Sequence, residues 1–210
     1  DPLSGNAAGV IPDADDLSAE QCQAVARELA VSETAFLSSS TDADRRIRYF
    51  TPTQEVDLCG HATIAAHAFL HDEGQLSAGS HSLETAVGEL EIEIEADGTV
   101  WMTQDTPTVE QRAIGYDRLA DALGTDPSTL EDVGADIPVA RASTGLPVLV
   151  VPINFLESLG GLDPDMGAVE ALSEEFDVAG LYAFTFDTLS TDATAHGRFF
   201  APAVGVDEDP

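Results

Sequence analysis

Residues 61–71 read His-Ala-Thr-Ile-Ala-Ala-His-Ala-Phe-Leu-His, and this stretch limits the possible folds more than any other part of the chain. At a helical period its small and apolar side chains cover nearly the whole circumference and leave no polar stripe for water. Gly74 supplies the expected stop. Such a helix must be buried on several sides. The sequence therefore predicts a central helix from about residue 61, wrapped by a sheet.

Alternating segments predict the strands. Residues 46–51 alternate well enough for a strand, and residues 89–95 alternate strictly, with three apolar side chains inward and four glutamates outward. Asp97-Gly98 indicates a hairpin turn before a return strand at 99–103. Further helices and strands follow without strict βαβ order. We therefore predict an α+β protein of two lobes that meet near residues 107–115.

A helix is expected to begin after Ser18. Ser18 can cap it, and Gln21 three residues later completes a capping box. Cys22 then shares one helical face with Val25 and Leu29. Since free cysteines are among the most buried residues, we expect Cys22 in the core.

The chain carries an extreme acidic charge. Eight Lys+Arg against 39 Asp+Glu give a formal net charge of −31, and every basic residue is arginine. Because the Debye length falls from about 10 Å at 0.1 M salt to about 3 Å at 1 M, such a surface repels itself unless salt is concentrated. We predict a halophilic protein with an acidic surface. The acids are spread through patterned segments, which speaks against an acidic interaction tail.

Other features of the sequence disfavour several further classes of protein. The lack of a basic patch disfavours nucleic acid as a partner. No apolar run approaches the roughly 18 residues of a membrane span. Cys22 and Cys59 form no disulfide framework, which indicates a reduced, cytoplasmic protein. The chain opens on Asp1-Pro2 without Met and closes on Asp209-Pro210, so we expect both ends to be incomplete.

The start of the predicted central helix is the first candidate site. A buried helix start leaves backbone N–H groups without partners and carries partial positive charge, so the carboxylate of a substrate would suit it. Gly60 would let that ligand approach closely. The structural alternative is a buried helix that happens to follow a glycine. Cys59 could be inert, or a thiol activated by the helix start.

Glu33 is the second candidate. Flanked by Ser32, Thr34 and apolar residues, its carboxyl would be partly desolvated and suited to take and return a proton, although most glutamates are solvated surface. His67 and His71 are four residues apart and could share a metal ion. With two ligands only and no zincin pattern, we predict no metal site.

Taken together, the motifs resemble those of the PhzF-like family, the phenazine-biosynthesis-type isomerases and epimerases related to diaminopimelate epimerase. They occur in the family's order along essentially the whole chain: Pro2-Leu-Ser-Gly-Asn6, Ser32-Glu-Thr-Ala-Phe36, Arg48-Tyr-Phe-Thr-Pro52 with Glu55-Val56, Leu58-Cys-Gly-His-Ala-Thr63, Arg198-Phe-Phe-Ala-Pro202 with Gly205, and Glu208-Asp-Pro210. The Cys-Gly-His-Ala-Thr motif and the glutamate motif are each fairly specific.

The resemblance implies a diaminopimelate-epimerase-like fold: two similar lobes, each a curved, barrel-like mixed sheet around a central helix. We assign residues 1–110 to the N-terminal lobe, with its central helix from about 61, and residues 111–210 to the C-terminal lobe. The family's second central helix would follow residue 210. A homodimer is a further family expectation.

The resemblance also implies roles. Glu33, His61 and Asp209 match catalytic positions, with Glu33 as the proton shuttle. The positions matched to the substrate-binding cleft are Asn6, Ser32, Cys59, Gly60 and Thr63. The implied function is a cofactor-independent isomerase that moves a proton on a small carboxylic acid. The alternatives are an amino-acid epimerase or racemase using Cys59, and a non-catalytic protein that binds small acids.

Overall fold

The computed structural model describes residues 5–131, 133–134 and 136–209. The chain divides into two compact units between Gln104 and Asp105. In the described part of the chain, no helix has the length and apolar character needed to cross a membrane. Each unit has a sheet and a hydrophobic core of its own, so the units are taken in turn.

The first unit consists of a mixed sheet and two helices. Its elements, in chain order, are β1 (Ala8–Ile11), α1 (Ala19–Leu29), β2 (Glu33–Ser38), β3 (Arg45–Phe50), β4 (Glu55–Val56), α2 (Gly60–Asp72), β5 (Gly79–Thr85), β6 (Gly88–Ile94) and β7 (Val100–Met102). The sheet runs β1-β2-β3-β5-β6-β7, with β4 beside β3. The pairs β1–β2 and β3–β5 are parallel, and the others are antiparallel.

Helix α2 lies in the concave face of this sheet. It contacts β1 and β2 at one end of the strand order and β6 and β7 at the other end. A single helix can touch both ends of a sheet only if the sheet curves around it. The predicted central helix, and the sheet wrapped around it, are therefore confirmed for this unit.

Side-chain alternation separates the two helices onto opposite faces of the sheet. On β2, Ala35 and Leu37 pack with the α2 core, whereas Phe36 packs with α1 and Cys22 on the other face. Cys22 is 2% exposed, as predicted for a core residue, and its burial raises the pKa of its thiol. The capping box of α1 is also confirmed, with Ser18 and Gln21 bonded reciprocally.

The second unit has an independent six-stranded sheet. Its elements are β8 (Thr108–Gln111), α3 (Tyr116–Leu123), α4 (Ser128–Glu131), β9 (Ala140–Ser143), β10 (Val148–Pro152), α5 (Leu156–Gly160), α6 (Met166–Phe176), β11 (Leu181–Thr185), β12 (His196–Ala201), a 3₁₀ turn (Pro202–Val204) and β13 (Val206–Asp209). The strand order is β13-β12-β11-β10-β9-β8, and only β10–β11 is parallel. Strand β8 pairs with β9, so the residues just before 110 already belong to this unit. The central helix expected after 210 lies outside the described residues.

The two units share a local arrangement at corresponding strands. In the first, the Arg48 guanidinium forms two hydrogen bonds with Glu55, at 2.6 and 2.8 Å, and lies 5.0 Å from the Phe50 ring centroid. In the second, Arg198 forms two with Glu208, at 2.7 and 2.9 Å, and lies 4.8 Å from the Phe200 ring. These bonds hold the pKa of each glutamate below its ordinary value. The repetition agrees with the predicted similarity of the lobes.

Candidate active site

Strand alternation directs Glu33 toward the central helix. Glu33 begins β2 and has the same parity as Ala35 and Leu37, which pack on α2. Its Oε2 lies 3.4 Å from Nε2 of His61, and the two side chains are 16% and 24% exposed. The predicted meeting of Glu33 with the helix start is therefore present in the first unit, at a position that solvent can reach.

The helix start is open where a ligand would approach it. Cys59 is the N-cap residue in extended conformation and makes no side-chain capping bond. A Cβ placed on Gly60 would meet nothing nearer than the Gln104 amide nitrogen, at 4.0 Å. Uncapped N–H groups and the helix dipole together favour an anion at such a position.

His61 lies between a thiol and a hydroxyl. Its Nδ1 is 3.4 Å from the Cys59 sulfur, and its Nε2 is 3.3 Å from the Ser32 hydroxyl. That hydroxyl is also 3.3 Å from Oδ1 of Asn6. The structure thus brings Asn6, Ser32, Cys59 and His61 around Glu33, and their roles toward a substrate stay predictions.

One oxygen of the Glu33 carboxylate lacks a proper donor. Within the described ranges, buried Oε2 has no hydrogen-bond partner, and the His61 contact at 3.4 Å does not have hydrogen-bond geometry. A buried acceptor left unpaired costs about 1–3 kcal/mol, and more when it is charged. Glu33 is therefore ready to accept a proton or a hydrogen bond from a ligand.

The same residues could also hold a metal ion. One donor atom each from Glu33, Cys59 and His61 lies within 4.8 Å of the other two.

His67 and His71, which the sequence analysis considered as a metal-binding pair, contact backbone carbonyls instead. His67 Nδ1 is 2.8 Å from the Thr63 carbonyl, and His71 Nδ1 is 3.1 Å from the Leu76 carbonyl. Burial lowers the pKa of His67, so it packs as a neutral core residue.

Thr63 does not line the site. It is fully buried, and its hydroxyl lies 2.7 Å from the Cys59 carbonyl and 2.6 Å from the Tyr49 hydroxyl. The expectation that Thr63 contacts substrate is therefore corrected: it fixes the first turn of α2.

Tyr49, which the sequence analysis did not single out, also stabilises the first turn of α2 through its contact with Thr63. Burial raises the pKa of Tyr49, which keeps its hydroxyl protonated as a donor. The sequence signal for this role was the alternation along β3, which places both Ile47 and Tyr49 on the inward face of the strand.

Thr63→Val should lower the free energy of unfolding by about 1–3 kcal/mol, because it leaves the buried Tyr49 hydroxyl without a partner. Chemical denaturation of the reduced protein measures this loss. The double variant Tyr49→Phe/Thr63→Val removes both partners and should recover part of the stability. A Thr63→Val variant as stable as the parent would contradict the proposed support of the helix start.

The third predicted catalytic residue lies in the other unit. Asp209 ends β13, paired with Phe199 on β12, and is half-buried. Its role in the same reaction as Glu33 stays a prediction.

Comparison with known proteins gives consistent matches along the whole chain. The family model described as phenazine biosynthesis-like protein (PhzC-PhzF) matches residues 1–210. The uncharacterized isomerase YfhB of Bacillus subtilis is 37% identical over 214 residues, which cover 100% of this chain and 72% of the relative. The trans-2,3-dihydro-3-hydroxyanthranilate isomerase of Pseudomonas chlororaphis is 33% identical over 218 residues, which cover 99% of this chain and 70% of the relative.

Solved structures agree on the fold. A PhzF-family protein from Bacillus anthracis superposes with a TM-score of 0.91 at 33% identity, over 100% of this chain and 71% of that one. A probable proline racemase from Agrobacterium radiobacter superposes with a TM-score of 0.56 at 16% identity, over 92% of this chain and 62% of that one, and supports the fold alone. The predicted epimerase-like α+β fold of two lobes with curled sheets is confirmed.

Proposed function

The chain belongs to the phenazine biosynthesis-like family, whose members are isomerases, and on this basis we propose that it moves a proton within a small carboxylic acid without a cofactor. Glu33 is the acid and base of this reaction. The substrate's carboxylate lies at the start of α2. The observation that carries the proposal is the unpaired oxygen of Glu33, on the α2 side of the sheet and 3.4 Å from His61.

The reaction balances without any further reagent. The ionised Glu33 carboxylate takes a proton from a carbon next to a double bond or a carboxyl group, and the electron pair spreads over the conjugated system. The neutral Glu33 carboxyl then returns that proton to another carbon of the same system. Proton transfer by a positioned side chain contributes typically about 10²–10⁴-fold to rate.

The neighbouring groups have complementary roles. The first-turn N–H groups of α2 and the helix dipole offset the negative charge that develops on the substrate. His61, whose Nε2 is 3.4 Å from Glu33, can hydrogen-bond a substrate held beside both side chains, and Ser32 and Asn6 orient its imidazole. Gly60 leaves space for the carboxylate against the backbone.

A comparison of the two units supports a single carboxylate as the proton shuttle. Thr34 pairs with Phe50 in the first unit, and Leu181 pairs with Phe200 at the corresponding point of the second. The residue before Thr34 is Glu33, whereas the residue before Leu181 is Gly180. A Cβ on Gly180 would come within 2.2 Å of the Phe200 carbonyl oxygen, so the second unit has no room for a matching side chain.

The direct test is proton exchange with solvent. Small unsaturated and amino-substituted carboxylic acids are incubated with the protein in D₂O at high KCl and followed by NMR. The first acid to try is trans-2,3-dihydro-3-hydroxyanthranilate, the compound in the name of the Pseudomonas chlororaphis relative. The proposal expects deuterium in at least one acid of the set. Saturable binding of these acids without any exchange would favour the alternative of a non-catalytic binding protein.

Cys59 favours a second candidate function, an amino-acid epimerase or racemase, because its sulfur lies 3.4 Å from His61 at the helix start. Alkylation does not separate the candidates, since a bulky adduct beside His61 would block either reaction. Cys59→Ala does separate them. We expect it to keep exchange within about tenfold of the parent, whereas loss of an acid–base thiol should cost about 10²–10⁴-fold. Cys22→Ala, on the opposite face of the sheet, is the matched control.

A further inference from the structure

We propose that the first unit has a binding site for one zinc ion, formed by the side chains of Glu33, Cys59 and His61. These three offer a carboxylate oxygen, a thiol sulfur and an imidazole nitrogen within 4.8 Å of one another. The proposed isomerase reaction uses no metal, so the site would act on that reaction only by competing for its residues.

Two separations between neighbouring ligand atoms match those of a tetrahedral site. Zinc binds nitrogen and oxygen at about 2.0–2.2 Å and sulfur at about 2.3 Å, which places neighbouring ligand atoms roughly 3.3–3.6 Å apart. The separation from the Cys59 sulfur to Nδ1 of His61 is 3.4 Å, and that from Nε2 to Oε2 of Glu33 is also 3.4 Å. These contacts use both ring nitrogens, so a turn of the imidazole and a small shift of the carboxylate are needed to gather all three ligands on one ion.

The donor set selects the class of metal. Thiolate and imidazole suit zinc and other late first-row ions, whereas magnesium and calcium prefer oxygen ligands alone. On binding, the Cys59 thiol releases its proton to water. The charges of the thiolate, the Glu33 carboxylate and a dipositive ion then sum to zero. Three protein ligands leave a fourth position for water or a carboxylate.

The surroundings of the three ligands are already arranged to hold them. The unpaired Oε2 of Glu33 provides an acceptor that no described residue satisfies. The Ser32 hydroxyl, 3.3 Å from Nε2 of His61, can orient the imidazole. The Thr63 hydroxyl, 2.7 Å from the Cys59 carbonyl, fixes the residue that carries the thiol. Such outer partners typically set a metal ligand's orientation and basicity.

The consequence for activity rests on the proposed function. If Glu33 is the proton shuttle, a zinc ion bound to its carboxylate removes the base, and zinc should inhibit exchange in competition with substrate. Binding itself does not depend on that function, so it is measured without any substrate.

Cobalt(II) serves as the spectroscopic probe for binding. The reduced protein is titrated with Co²⁺ in molar KCl, which screens the acidic surface, and zinc is then added to displace it. We expect a thiolate-to-cobalt charge-transfer band that saturates at one ion per chain and disappears as zinc replaces cobalt. The band should be absent in Cys59→Ser and retained in Cys22→Ala. Circular dichroism establishes that each variant is folded.

Zinc affinity provides the second readout. A residue that only orients a metal ligand contributes about 10–100-fold to affinity, so removal of the direct ligand in Glu33→Gln should weaken zinc binding by at least about tenfold. A parent protein without the cobalt band, or equal zinc affinity in the parent and Cys59→Ser, overturns the site. If zinc binds as expected but leaves solvent exchange untouched, the metal site stands and the assignment of Glu33 as proton shuttle fails.

Discussion

Glu33→Gln should abolish solvent-deuterium incorporation into substrate, with a loss of about 10²–10⁴-fold or more, while substrate binding changes little. The amide has nearly the shape of the carboxyl but can neither accept nor return a proton at neutral pH. Because the substrate's carboxylate is expected at the start of α2, the binding energy should survive the change. NMR in D₂O measures the exchange, and calorimetry with the same acid measures the affinity.

Glu93→Gln is the matched control for this variant. Glu93 is exposed on β6, on the outward face of its strand, and the substitution makes the same change in charge and shape away from the site. It should exchange substrate at the parental rate. If Glu33→Gln retained parental exchange, Glu33 would have no role in the chemistry. If it lost binding as well as exchange, Glu33 would hold the substrate and not only move its proton.

The fold of the first unit was predictable where the local sequence pattern is compatible with only one structure. An apolar circumference at residues 61–71 forces burial, and the strict alternation at Glu89–Glu95 permits only a half-exposed strand. Several strands were not predicted, among them β1 and β9, which carry weaker patterns. Both are short and are defined by pairing with distant partners, β1 with β2 and β9 with β8 and β10. Non-local pairing of this kind leaves little trace in a single segment.

The sequence predicted which residues form the site better than it predicted their arrangement. The order of the motifs predicted that Glu33 and His61 belong to one site, and both lie where the helix start meets β2. The same motif implied a ligand contact for Thr63, which is buried because it follows His61 by two residues and faces the core side of α2. The motifs placed Cys59 and Glu33 in one cleft, but 26 positions separate them in the chain, and no local spacing indicated that they could share a metal ion with His61.

Concentrated salt should be required for the folded state. With a formal net charge of −31, compaction brings like charges together, and at low ionic strength, with a Debye length of about 30 Å at 0.01 M salt, their repulsion is poorly screened. The free energy of unfolding of a typical domain is only about 5–15 kcal/mol, so a repulsion of several kcal/mol removes much of it. We expect the melting temperature to rise steeply between about 0.1 and 2 M KCl, where the Debye length falls to about 3 Å or less.

Two comparisons isolate charge screening from other effects of salt. Sucrose stabilises by exclusion from the surface without screening, so it should not replace KCl at low ionic strength. The double variant Glu89→Gln/Glu93→Gln removes two exposed carboxylates from the outward face of β6 and should shift the folding transition to lower KCl. Full stability at low salt with no gain at molar KCl would show that the acidic surface is not an adaptation to salt. In that case the excess of carboxylates would need another explanation, such as a cationic partner, because charge patterns of this size otherwise act against the compact state.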